Sequence, residues 1–109
     1  MLRIDDLRNL AHCDKHVILT KHAKNRLQER VITIDDVQHA IQTGEIIIQY
    51  EDDKPFPSCL LLGETEHNRF IHVVASIDGG YLYIITAYFP DENEWESDFK
   101  TRKPSKRQS

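Results

Sequence analysis

The apolar residues of this chain change period at Gly44. Before it they recur three and four apart, as on one face of a helix. After it they alternate, as on one face of a strand. Ile4, Leu7, Leu10 and Ala11 share a helical face over residues 4–12. Leu19, Ala23 and Leu27 make the stripe of a second helix over residues 20–30, with Thr20 as N-cap. Thr33 caps a third over residues 34–43, where Asp35 and Asp36 suit the positive N-terminus and Gly44 the C′ position. Residues 45–50, 58–65, 69–77 and 81–89 then read as strands. Pro55 and Pro57 break the first connection, Gly63 is a candidate bulge, and Asp78-Gly79-Gly80 is a hairpin signal. Val17, Ile18 and Leu19 read as a short strand or an extended lead-in, and residues 91–99 as one helical turn around Trp95. Helices followed by a meander predict an α+β fold, with N-terminal helices packed on one face of a four-stranded antiparallel sheet. Alternation groups Leu82, Ile84, Thr86 and Tyr88 on one side of the last strand, and leaves open which sheet face meets the helices.

A chain of 109 residues with 39% hydrophobic and 29% charged residues suits one modest globular domain. Residues 1–103 are read as that domain and residues 104–109 as a basic, disordered tail. The net charge of −4 hides an asymmetry: every one of the 18 acidic residues lies before Lys100, while Lys100, Arg102, Lys103, Lys106 and Arg107 follow with no acid among them. The acidic body argues against broad nonspecific nucleic-acid binding, but leaves room for a small local site. No apolar run approaches the roughly 18 residues that cross a bilayer, and residues 1–6 lack a signal peptide's apolar stretch. The chain is therefore expected to be cytoplasmic, with no membrane partner. Cys13 and Cys59 lack CxxC spacing and read as two unrelated thiols.

Several polar side chains sit where an element would favour apolar ones. His22, Arg26 and Arg30 recur every four residues along the second helix. His72 interrupts an apolar strand, and Thr86 and Tyr88 close another. Each has an ordinary structural explanation: a solvated stripe, a satisfied core histidine, β propensity, a core phenol. Together they supply imidazole, guanidinium, hydroxyl and phenol, a set able to bind phosphate and move protons. The six histidines show no compact ligand spacing, and HExxH, Walker and GxGxxG patterns are absent from the sequence. Neither metal nor cofactor is expected.

These residues also carry a resemblance. His22, Arg26 and Arg30, the Pro55–Ser58 stretch, Ile71 to Val74, Ile85 to Pro90 and Trp95 occur in the order that resembles the family called domain of unknown function 4258, over about residues 20–103. That family is grouped by resemblance with RelE-like and barnase-like ribonuclease toxins, which have N-terminal helices and a four-stranded antiparallel sheet. The resemblance implies a metal-independent ribonuclease, toxin-like, in a toxin–antitoxin pair, with RNA and an antitoxin protein as partners and no DNA expected.

Such an enzyme has to deprotonate a 2′-hydroxyl, stabilise a phosphorane-like dianion and protonate a 5′-oxygen. His22 or His72 suits the acid and base work, and the residues leave their assignment open. Arg26 suits bidentate phosphate contact, Thr86 a hydrogen bond to oxygen, and Tyr88 phosphate orientation or stacking. Arg30, Lys103, Lys106 and Arg107 are the further RNA-contacting candidates. The alternative is a noncatalytic protein-interaction module of the same fold, with His22, Arg26 and His72 in a structural network.

Overall fold

In the computed structural model, which describes residues 1–104, the change at Gly44 divides helices from the meander. Helix α1 spans Ile4–Ala11, a 3-10 turn Asp14–His16, strand β1 Val17–Leu19, helix α2 Lys21–Glu29 and helix α3 Ile34–Thr43. Strands β2 (Glu45–Tyr50), β3 (Ser58–Glu64), β4 (Phe70–Asp78) and β5 (Tyr81–Tyr88) follow. Thr20 Oγ1 accepts from the Ala23 N–H at 3.1 Å, which starts α2. Thr33 and Asp36 form a reciprocal capping box that starts α3.

The sheet has five strands, ordered β1-β5-β4-β3-β2. The expected four-stranded antiparallel sheet is thus extended by β1, which pairs in parallel with β5, Val17 opposite Leu82 and Leu19 opposite Ile84. A three-residue strand has too little alternation to register, and parallel pairing needs a long crossover that leaves no local turn signal. Asp78 and Tyr81 close the β4–β5 hairpin across Gly79 and Gly80, whose φ angles of 58° and 81° suit a two-residue turn that glycine adopts without strain.

Helices pack on one face. Leu7, Val37, Ala40 and Ile41 meet Cys59, Leu61, Ile71, Val73, Ala75, Leu82, Ile84 and Ala87 in one core. Gly63 lies in regular pairing with Ile71, so it is no bulge. Its role is closeness: a Cβ there would stand 2.1 Å from the Ala40 carbonyl oxygen. Gly44 likewise has φ −97°, outside the left-handed region, and a Cβ there would meet the Leu62 and Ala40 carbonyls at 2.4 and 2.5 Å.

The bulges fall elsewhere, at Ile46/Ile48 in β2 and opposite Val74/Ala75 in β5. Val74 pairs with Thr86 but Ala75 with Ile84, which leaves Ile85 as the extra residue. The bulge turns Thr86 and Tyr88 away from Leu82 and Ile84, onto the face opposite the helices, and corrects the grouping expected from alternation.

That second face carries Leu60 and Leu62 of β3, His72 and Val74 of β4, and Thr86 and Tyr88 of β5. A C-terminal strap covers one end of it. Residues 91–102 begin with the single helical turn expected around Trp95, whose N–H donates to the Asp91 carbonyl at 3.0 Å, and continue as further turns closed by a Trp95–Arg102 bridge and by the Glu96 N–H donating to the Thr101 carbonyl at 2.8 Å. Lys100 reaches Glu45 at 3.0 Å, which ties the strap to the start of β2. Among the described residues no helix is long and apolar enough to cross a membrane.

Candidate functional site

The β4–β5 register sets His72 opposite Tyr88 on the second face. The His72 ring is fully buried. Its Nε2 lies 2.8 Å from the Phe99 carbonyl oxygen, which can only accept, so Nε2 carries the proton. In the neutral ring Nδ1 is then an acceptor, and the Tyr88 hydroxyl donates to it at 3.3 Å. Trp95 meets the imidazole edge-on with ring centroids 4.6 Å apart.

Burial holds the His72 pKa below its ordinary value; the Phe99 hydrogen bond opposes this and the Arg102 charge adds to it. Burial raises that of Tyr88, with the Tyr50 phenol also raising it and Arg102 and Arg30 working against the rise. A protonated phenol therefore faces a neutral imidazole fixed in one tautomer by a main-chain carbonyl. This is the arrangement hydroxyl–base–orienting group.

Arg30 comes to this site from the end of α2. The Ile32 N–H donates to the Leu27 carbonyl at 2.9 Å and the Val31 N–H to the Gln28 carbonyl at 3.1 Å, the two bonds of a Schellman motif. Arg30 is the last residue before this reversal, with its own N–H still on the Arg26 carbonyl at 3.1 Å. Beyond Ile84 β5 has no paired β1 residue. There Arg30 Nη1 donates to the Ala87 carbonyl at 2.9 Å and to Thr86 Oγ1 at 3.2 Å, and its guanidinium carbon lies 6.0 Å from the Tyr88 ring centroid.

The structure thus brings together Arg30, His72, Thr86 and Tyr88. His22 and Arg26 do not join them: both are exposed on α2, and their side chains make no hydrogen bond or ion pair among the described residues. Arg26 faces solvent, whereas Arg30, one turn further along, lies beside the part of β5 that β1 leaves unpaired. His72 is also no rim residue; it is enclosed by the strap. Lys103 is exposed at the strap's end, where its main-chain N–H donates to the Glu94 carbonyl. Lys106 and Arg107 lie outside the described residues.

Sequence reasoning gave no role to Phe99, Trp95 or Arg102. Phe99 acts through its carbonyl, which no side-chain pattern reveals. Trp95 was the one visible signal, as the single tryptophan. Arg102 stacks over it at 4.7 Å and pairs with Glu94 at 3.9 Å. No group of three or more His, Cys, Asp or Glu among the described residues is placed to hold a metal. Cys13 and Cys59 are both free, and burial pushes the Cys59 thiol up to about 12.

The fold and this cluster define an α+β domain with helices on one sheet face and a guanidinium–hydroxyl–phenol–imidazole cluster associated with the other. Residues 19–89 match the family described as Domain of unknown function (DUF4258), and the chain belongs to that family. No curated protein and no solved structure matches the chain.

Proposed function

We propose that the protein is a metal-independent ribonuclease of the toxin-like kind, in which Tyr88 meets the substrate and His72 acts through it. The observation that supports this reading is the chain Tyr88 hydroxyl to His72 Nδ1, with His72 Nε2 on the Phe99 carbonyl, next to Arg30. Helices followed by an antiparallel meander is also the element order of RelE-like and barnase-like ribonuclease toxins. In the reaction the 2′-hydroxyl gives its proton to the Tyr88 oxygen as Tyr88 passes its own to His72. The 2′-oxygen bonds to phosphorus, the bond from phosphorus to the 5′-oxygen breaks, and solvent protonates that leaving oxygen. His72, which is fully buried, returns the proton to the Tyr88 oxygen as the Tyr88 hydroxyl releases one to solvent. Arg30 and Thr86 hold the phosphate oxygens as negative charge grows on them. In a toxin–antitoxin pair the antitoxin would be a protein segment added along a sheet edge.

One observation favours a second reading, a noncatalytic protein-interaction module: His72 is buried with both ring nitrogens satisfied. Incubation with varied single-stranded RNAs in EDTA separates the two. The ribonuclease yields 2′,3′-cyclic phosphate ends. Tyr88→Phe lowers its rate by about 10²–10⁴, and Arg30→Ala weakens RNA binding by roughly 1.5–3 kcal/mol. If the antitoxin-free wild type leaves every RNA intact and unbound, the module reading replaces it.

A further inference from the structure

A cavity of about 610 Å³ opens on the second face beside this cluster, lined by Tyr50, Glu51, Asp52, Asp53, Ser58 and Val74 among others. Its size falls in the range of small-molecule sites, roughly 300–1,000 Å³. Strand register places it relative to the cluster. Tyr50 pairs with Ser58, and Val74 pairs with both Leu60 and Thr86. The floor at Val74 is therefore one strand spacing, about 4.8 Å, from Thr86.

The cavity and the cluster differ in chemistry. The cavity has an aromatic wall in Tyr50, an apolar floor in Val74, and carboxylates at its rim. It holds no cation, so a phosphate is repelled from it and attracted instead to Arg30. Two of the carboxylates are engaged. Asp53 accepts from the Ser58 hydroxyl at 2.6 Å and from the Lys54 N–H at 3.1 Å, and Glu51 lies 3.9 Å from the N-terminal ammonium. Asp52 is exposed, and its carboxylate makes no hydrogen bond or ion pair among the described residues. One half of this surface thus fits an uncharged ring with donors on its edge, and the other half an anion. A nucleotide has both halves.

We infer that the cavity is a nucleobase subsite, in which an unstacked base of single-stranded RNA lies on the Tyr50 ring and presents its donor edge to Asp52. The inference rests on the ribonuclease reading. Guanine fits the acceptor best. Its N1–H and N2 amino group are adjacent donors, whereas adenine and cytosine set a ring acceptor beside the amine and uracil offers one donor. A base held inside a duplex has no free face for the ring.

The test measures affinity of the full chain for short adenine oligoribonucleotides with and without a single guanine, single-stranded or annealed to a complement. Wild type is expected to favour the guanine-containing single strand by about tenfold, with the duplex weaker still. Tyr50→Ala lowers affinity by about tenfold or more, the scale of one lost base–aromatic stack, and Tyr50→Phe retains it. Asp52→Asn erases the guanine preference and leaves adenine strands bound. If RNA is bound in an Arg30-dependent way but Tyr50→Ala and base identity change nothing, the subsite is wrong and the ribonuclease reading survives. If no RNA binds at all, both fall.

Discussion

Val31 has φ 56° and is 83% exposed. A β-branched residue in the left-handed region is strained by roughly 1–2 kcal/mol, because Cβ crowds the carbonyl. The Schellman turn that ends α2 needs that conformation, and glycine is its usual occupant. Val31 packs against little, so replacing it removes strain without opening the core. Val31→Gly is expected to stabilise the fold by about 0.5–1 kcal/mol in urea denaturation, the relief of strain less the added flexibility of the unfolded chain.

His72 makes the opposite kind of residue-scale prediction. Its folded pKa lies below the ordinary 6.5 because burial disfavours the charged ring. Below 6.5 the unfolded chain binds a proton that the folded chain refuses, so stability is full above that pH and falls as the pH drops toward the folded value. His72→Gln keeps an amide donor for the Phe99 carbonyl and should flatten this part of the pH profile. His72→Ala leaves that carbonyl and the Tyr88 hydroxyl unpaired beneath Trp95, and should cost more than about 2 kcal/mol. The residue therefore serves the scaffold whether or not it serves catalysis. For that reason Tyr88→Phe is the cleaner functional variant.

At the scale of elements, α3 and β3 approach so closely that only glycine fits between them. A Cβ on Gly63 would stand 2.1 Å from the Ala40 oxygen and 2.7 Å from its Cα, main-chain atoms that cannot rotate aside. Gly63→Ala should destabilise by about 3 kcal/mol or more, beyond the usual overpacking penalty, by thermal or denaturant unfolding. The three helices, the four meander strands and both threonine caps were legible because period and cap chemistry are local properties. What was illegible was nonlocal. Gly63 read as a bulge because a sequence does not show a helix backbone lying on a strand. The true bulge at Ile85 leaves no glycine behind, and it regrouped Thr86 and Tyr88. His22, Arg26 and Arg30 looked equivalent at four-residue spacing, and only the place where β1 stops pairing with β5 separates Arg30 from the other two. The pairing of His72 with Tyr88 depends on the Ile85 bulge, since the unbroken hairpin register sets His72 opposite Ala87, and its closure by Phe99 depends on a strap without periodicity.

At the scale of the molecule, electrostatics limits how RNA can be met. Almost all the negative charge lies in the folded body, while the last ten residues carry five of the 14 cations. A backbone-tracking basic groove is therefore a poor description, and phosphate contacts should be few. Each phosphate neutralised on a single strand contributes a slope of about −0.7 to log affinity against log salt. With Arg30 as the body's principal contact, Arg30→Ala should make the slope shallower by about 0.7. Truncation after Pro104 removes Lys106 and Arg107, and should make it shallower by about a further 1.4 if both tail cations meet phosphate. Filter-binding titrations across salt concentrations measure both changes. A steep slope that neither variant alters would place the RNA on a different surface and remove Arg30 from the site.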